Sequence, residues 1–230
     1  MTKLCMLLGT DNMLKKQALL NIKINEQQLS QVKSFKYLGV HVDEKLKWDV
    51  HIEQTRNELS KMVNYLGRLR QFVNMSELKL IYKSIILPHF DYGDVVWQSA
   101  SSKSLTQLQK IQNRAGRIIL KVNPYSHTST SQIHSCLGWK MIRERQTSHL
   151  ILLTYKILNN MTPAYLKDMF KFKPSPYSLR NEHNLFLPKP TTNYCKRSFV
   201  YRASLQYNKL SPDLRKLPTF AIFKNNLHKL

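Results

Sequence analysis

Two kinds of side chain in this sequence could do chemistry: pairs of carboxylates, and rows of cations. Asp91-Tyr92-Gly93-Asp94 and Asp43-Glu44 are the closely spaced acids. Paired acids of this kind can hold Mg²⁺ for phosphoryl chemistry when they are presented side by side at a strand turn. Asp91 and Asp94 instead follow Pro88 at the end of a helical pattern, and Asp43-Glu44 begins a helix, where acids are expected anyway. Both pairs read as structural, so no catalytic residue and no metal ligand set is assigned. No G-x-x-x-x-G-K, G-x-S-x-G or H-E-x-x-H motif occurs. His51 at a helix start reads as a core or capping residue rather than a metal ligand.

The cations are more informative. Lys103, Lys110, Arg114, Arg117 and Lys121 fall within roughly a 60° arc of one helix, at about 100° per residue. Leu105, Leu108, Ile111, Ala115, Ile118, Ile119 and Val122 occupy the opposite side. Between Asp94 and Glu144 there is no acid and there are seven Lys or Arg. A merely solvated face mixes signs and gains from pairing them; an all-cationic one suits tracking of phosphates. An earlier helix carries Gln54, Lys61 and Arg68 on one flank and Arg56 and Arg70 on another, with Glu53 and Glu58 between. That flank suits a binding surface and a solvated face equally.

The elements that must position these residues follow from periodicity. Leu4 to Leu8, Leu20 to Asn25, Gln28 to Val32 and Phe35 to Val42 read as short strands. Strands so short need helices, or more sheet, to pack on. From Trp48 the period becomes helical, with a seam of Ile52, Thr55, Leu59, Met62, Leu66, Leu69 and Val73. Asn74-Met75-Ser76-Glu77 is a capping box opening a helix through Leu87, which Pro88 should kink or end. Ser101-Ser102 caps the basic helix, Lys103 to Val122. Further helices are expected at Ser131 to Leu137, Met141 to Leu158, after a Thr162 cap with Pro163 at the first helical position, and at Ser198 to Leu210 and Thr219 to Leu230. The fold class is α+β and mainly α: a small antiparallel β piece, then helices. The expected division is 1–45, 46–123 and 124–230, with a proline-rich connection at 173–190.

Composition bounds the partners. The 230 residues carry 36 Lys and Arg against 14 Asp and Glu, a net charge of +22, and 42% are hydrophobic. Such a chain folds, yet repels itself, and suits a polyanionic partner. Three dispersed cysteines without C-x-x-C support neither a disulfide framework nor a zinc site and leave a reducing compartment as the default; the location is expected to be intracellular, with nucleus and cytoplasm both open. No apolar run is long enough for a bilayer, so no membrane partner is expected.

Several motifs, in order, resemble one family. Thr2-Lys3-Leu4-Cys5-Met6-Leu7-Leu8-Gly9-Thr10 resembles the segment that follows the catalytic turn in reverse transcriptases of non-LTR, LINE-type retrotransposons. Phe35-Lys36-Tyr37-Leu38-Gly39-Val40 looks like their primer-grip hairpin. Leu80-Ile81-Tyr82 through Asp91-Tyr92-Gly93-Asp94-Val95-Val96-Trp97 is similar to a thumb signature, as is Leu108-Gln109-Lys110-Ile111-Gln112-Asn113-Arg114-Ala115-Gly116-Arg117-Ile118-Ile119. Leu137-Gly138-Trp139 and Phe220 to Leu230 resemble the tail of jockey- and CR1-like elements. The resemblance implies a palm remnant, a helical thumb and a helical C-terminal region, with Phe35, Lys36, Tyr37, Leu38 and Gly39 at a primer grip. It implies an RNA-directed DNA polymerase family whose metal-binding aspartates lie upstream of these motifs. The chain alone is then expected to be inactive, to need no cofactor, and to bind RNA, DNA or an RNA–DNA hybrid. Mg²⁺ would belong to the intact polymerase, and an N-terminal polymerase portion would be the missing partner if this chain is a fragment. The alternative is a structural or interaction module from a decayed element, without a nucleic-acid role.

Overall fold

The computed structural model describes residues 4–16, 21–123, 127–173 and 184–228. Packing divides the chain into two units: residues 1–93 with 99–142, and residues 94–98 with 143–230. The sequence boundary expected at 124–126 and most of the proline-rich connection lie outside the described residues.

The first unit begins with small β pairs: β1 (Leu4–Cys5), helix α1 (Asp11–Lys16), β2 (Lys23–Ile24), β3 (Gln27–Gln28), β4 (Ser30–Gln31), β5 (Ser34–Tyr37) and β6 (Val40–Asp43). β2–β3 and β5–β6 are antiparallel, whereas β1 pairs β4 in parallel, so the piece is not uniformly antiparallel. The apolar runs make shorter strands than their patterns suggest, because a two-stranded ladder buries little side chain. Leu4 and Leu8 stay exposed. The run Phe35 to Val42 is not one strand but a hairpin, folded at Leu38 (φ 45°) and Gly39 (φ 81°). Two successive positive φ values make the tight turn whose twist matches a hairpin.

The hairpin hands over to α2 (Asp49–Leu69) through Asp43. Its carboxylate accepts from the backbone N–H groups of Lys45 (3.1 Å), Lys47 (3.0 Å) and Trp48 (2.6 Å). Trp48, in the left-handed region, begins the helix and donates its indole N–H to Ser99 Oγ (2.9 Å). α2 buries Ile52, Thr55, Leu59, Val63 and Leu66, with His51 beside them. Val63 replaces Met62 in the expected seam, and Leu69 is exposed, as 3.6 residues per turn carry the stripe past them.

His51 titrates below its ordinary 6.5, first because it is buried and then because the positive charge of His41 nearby, 6.4 Å between ring centres, disfavours a second cation. A base held neutral in the fold binds fewer protons than in the unfolded chain. Stability should therefore fall as pH drops below about 6.5. Urea midpoints compared at acid and neutral pH should show this, and His51→Gln should flatten the dependence. An unchanged slope in that variant would assign it elsewhere.

Asn74 and Glu77 form the anticipated capping box at the start of α3 (Met75–Ile81). Pro88 does not end the helix. A π-helical turn, Tyr82–Ile86, leads into α4 (Leu87–Asp91). Leu87 N–H reaches back to Tyr82 O, one residue further than in an α-helix. This widened register accommodates the ring and missing N–H of Pro88 without a break.

α6 (Ser102–Ile119) follows α5 (Asp94–Trp97) in sequence and is capped by Ser101, which accepts from Ser104 N–H at 3.0 Å. α6 packs along α2 with Asp49–Ser104, Arg56–Gln107 and Asn64–Arg114 hydrogen bonds, so the two helices run parallel. Burial of Leu59, Val63, Leu105, Leu108 and Ile119 contributes roughly 1.5–3 kcal/mol each.

α7 (Thr130–Leu137) ends at Gly138 (φ 64°), and Trp139 stacks on Tyr82 with 4.0 Å between centres. α6 meets α7 at Gly116. A Cβ there would lie 2.6 Å from Ile133 Cγ2, and Ile133 is fully buried. Gly116→Ala should therefore cost about 1–3 kcal/mol by overpacking, although alanine is the better helix former. In chemical denaturation, Ile133→Ala, which removes the clashing Cγ2, should make the double variant cost less than the sum of the two single ones. A neutral Gly116→Ala would mean that the two helices separate freely.

The second unit holds α5, α8 (Ile142–Leu158, from Arg143), α9 (Ala164–Lys167), α10 (Asn193–Arg197), α11 (Phe199–Asn208), α12 (Pro212–Arg215) and α13 (Phe220–His228). Its core gathers Leu150, Tyr155, Phe170, Ala203, Tyr207 and Phe223. Tyr155 stacks on Phe223 at 4.1 Å and donates to Leu217 O at 2.7 Å. Asn208 pairs with both N–H and C=O of Leu185 (2.8 and 2.9 Å), holding the end of the proline-rich segment as a strand neighbour would. That segment is not purely a surface connection, since Leu185 is buried and bridges Phe172. Thr162 does not cap α9. Pro163 (ψ 139°) is itself the cap, because its extended ψ starts the helix one residue later. The chain is mainly α with a small β portion.

Candidate nucleic-acid interface

Lys103, Lys110, Arg114 and Arg117 are all exposed on α6, opposite its buried face. Lys121 is exposed but lies beyond the helix, at φ 51°. Lys121 N–H bonds Ile118 O (3.1 Å) and Val122 N–H bonds Arg117 O (3.0 Å). This is the Schellman ending, with lysine where glycine is usual. Lys121 therefore follows the stripe without continuing its helical arc.

Helix geometry puts Lys61 and Arg68, both exposed, on the outer side of α2 towards the flank that meets α6. Arg114 sits at the seam, where its Nη2 donates to Asn64 Oδ1 at 2.7 Å. Because α2 and α6 run parallel, Lys61 comes level with Lys110 and Arg68 with Arg117. Two rows of cations thus flank one seam, on axes about 8–10 Å apart. Glu58 lies midway along α2, and Asp49 and Glu53 lie at the start of the pair. Asp49, Glu53, Arg56, Ser101, Lys103 and Gln107 help line a cavity of about 360 Å³ there. Arg56 is partly engaged by Glu53 (3.6 Å) and Gln107 (3.3 Å). Such a surface favours a polyanion lying along the helices.

Phe35, Lys36, Tyr37, Leu38 and Gly39 form the exposed arm and turn of the β5–β6 hairpin. Tyr92 clamps that turn: its hydroxyl donates to Leu38 O at 2.7 Å, and its ring lies 3.0 Å from where a Gly39 Cβ would be. Val40 is buried and meets Gly93. The short hairpin is therefore packed on helical neighbours, as strands of that length require.

Polar residues beside the stripe have structural work. Gln109 Nε2 donates to Gln112 Oε1 (2.7 Å) and Asn113 Oδ1 (2.9 Å), and His134 Nε2 lies 2.8 Å from Asn113 Oδ1. Gln112 reaches Lys140 O, and Gln109 accepts from Ile142 N–H. These bonds tie α6 to α7 and to the connection after it. Asp94, in the second unit, is buried and accepts from His149 Nδ1 at 2.6 Å. Nothing local in the sequence marks Tyr92 or Gln109 for these roles, because their partners are distant along the chain.

Two curated proteins of Drosophila melanogaster are similar to this chain. The probable RNA-directed DNA polymerase from transposon X-element is 32% identical over 101 residues, 43% of this chain and 11% of its own length. That from transposon BS is 24% identical over 124 residues, 53% of this chain and 14% of its own length. The chain contains a region related to non-LTR transposon reverse transcriptases. No family model matches it, and no solved structure does. The chain thus spans only about a seventh or less of the relatives it matches. In the fold, the Phe35 to Val40 motif is the hairpin arm and turn. Leu80 to Asp91 is the π-interrupted helix, and Leu108 to Ile119 combines the buried seam, the glutamine–asparagine ties and the cations. Among the described residues no helix is long and apolar enough to cross a membrane.

Proposed function

We propose that this region of a reverse transcriptase grips an RNA–DNA template-primer by its phosphates, through the outer faces of α6 and α2. The carrying observation is the exposed row Lys103, Lys110, Arg114 and Arg117, on a helix that carries no acid of its own and with Arg114 already oriented by Asn64. Phosphate contacts of this kind position a duplex without reading its sequence. The hairpin Phe35 to Gly39, steadied by Tyr92, would meet the primer strand. The relatives' printed activity, RNA-directed DNA polymerisation, needs a two-metal carboxylate site. The reading assigns no such site to this chain and treats it as the gripping part, with Mg²⁺ bound by other residues of a longer polymerase. Titration of a labelled RNA–DNA hybrid at several salt concentrations tests the grip. Affinity should fall linearly on a log–log scale with a slope of several units. Undetectable binding at low salt would favour an interaction module instead. Template-dependent primer extension by the chain alone would overturn the division between grip and catalysis.

A further inference from the structure

Resting on that phosphate-binding reading, α2 carries, between cations the grip already uses, two exposed rings that duplex gripping does not use. Lys61, Tyr65 and Arg68, spaced by four and three residues, fall within about a 60° arc on α2, and Phe72 follows four residues later. Phe72 lies in the turn just after α2, where its N–H still bonds Leu69 O at 2.9 Å. All four are exposed, Tyr65 by 62% and Phe72 by 77%. Arg68 lies over the Tyr65 ring, 5.5 Å from its centre, which holds ring and charge together. The result is an exposed stripe of alternating cation and aromatic ring. A single exposed aromatic needs no explanation. Two of them interleaved with two cations, on the polar side of α2, match what a single strand offers: phosphates and π faces in alternation. A duplex hides its base faces and would leave both rings unused. The nearest acid on this face, Glu58, precedes the stripe, so anion repulsion is confined to its beginning.

We propose that Tyr65 and Phe72 stack unpaired nucleobases of a single-stranded segment, while Lys61 and Arg68 hold its phosphates. With the α6 row on a duplex, the region would recognise a junction between paired and unpaired nucleic acid. The test compares three probes by fluorescence anisotropy with the full chain. These are a single-stranded RNA of about twelve nucleotides, an abasic sugar-phosphate strand of equal length, and a blunt RNA–DNA hybrid. Wild type should bind the base-bearing strand roughly 10- to 100-fold more tightly than the abasic strand. Tyr65→Ala with Phe72→Ala should erase that difference and leave hybrid affinity unchanged, whereas Tyr65→Phe should keep it. Equal wild-type affinity for base-bearing and abasic strands would overturn the stacking while leaving the phosphate grip standing. The absence of salt-dependent binding to every probe would remove both. The comparison within wild type does not depend on how any variant folds.

Discussion

Changing Lys110, Arg114 and Arg117 together to glutamine should lower the slope of log affinity on log salt by roughly two to three, with an RNA–DNA hybrid as ligand. Each phosphate neutralised by a cation releases condensed counterions, so the slope counts contacts rather than net charge. All three side chains are exposed and opposite the buried face of α6, so the fold should survive. The change also loses the Arg114–Asn64 bond across the seam, an exposed pair whose contribution to stability is small. Preference among hybrid sequences should barely move. The control is Lys171, Lys173 and Lys189 changed to glutamine, three exposed cations of the second unit, which should be nearly silent. Equal weakening by both triples would reduce the attraction to diffuse charge, and the α2–α6 face would lose its status as a site.

The largest stability effect is expected at Tyr155. Its ring is fully buried, stacked on Phe223, and its hydroxyl satisfies Leu217 O. Tyr155→Ala should cost about 3–5 kcal/mol, the range for emptying a buried aromatic site. Tyr155→Phe keeps the ring and should cost about 1 kcal/mol, the net value of one hydrogen bond. Denaturant titration gives both numbers, and hydrogen exchange should show the loss of protection concentrated in 143–228. If the two variants cost the same, the hydroxyl rather than the packed ring organises this core. A mild Tyr155→Ala would mean that the site collapses around the gap.

Local signals in the sequence carried a good part of this structure. Helical periodicity placed α2 and α6, because a 3.6-residue repeat of apolar side chains can be buried on one side only in a helix. Asn74-Met75-Ser76-Glu77 and Ser101 act at short range through their own backbones, so their caps were legible without any tertiary knowledge. The all-cationic arc from Lys103 to Arg117 was legible for the same reason: a helix converts spacing into direction. Where the geometry is cooperative, the one-dimensional reading fell short. Pro88 reads as a kink or a stop, yet a π turn just before it carries the helix on to Asp91, a register that no local pattern specifies. Lys121 belongs to the arc by spacing, but the Schellman ending takes it off the helix.

Sequence alone determined the charge, the mainly helical class and which face of each long helix is polar, since these follow from residue type and period. Tertiary structure decided which polar residues are free to meet a ligand. It set Gln109, Gln112 and Asn113 to holding α7, and bent Tyr92 onto the hairpin turn. It also laid α2 beside α6, so that two separate rows of cations became one surface. Those outcomes depend on contacts between residues tens of positions apart, and no local period encodes them.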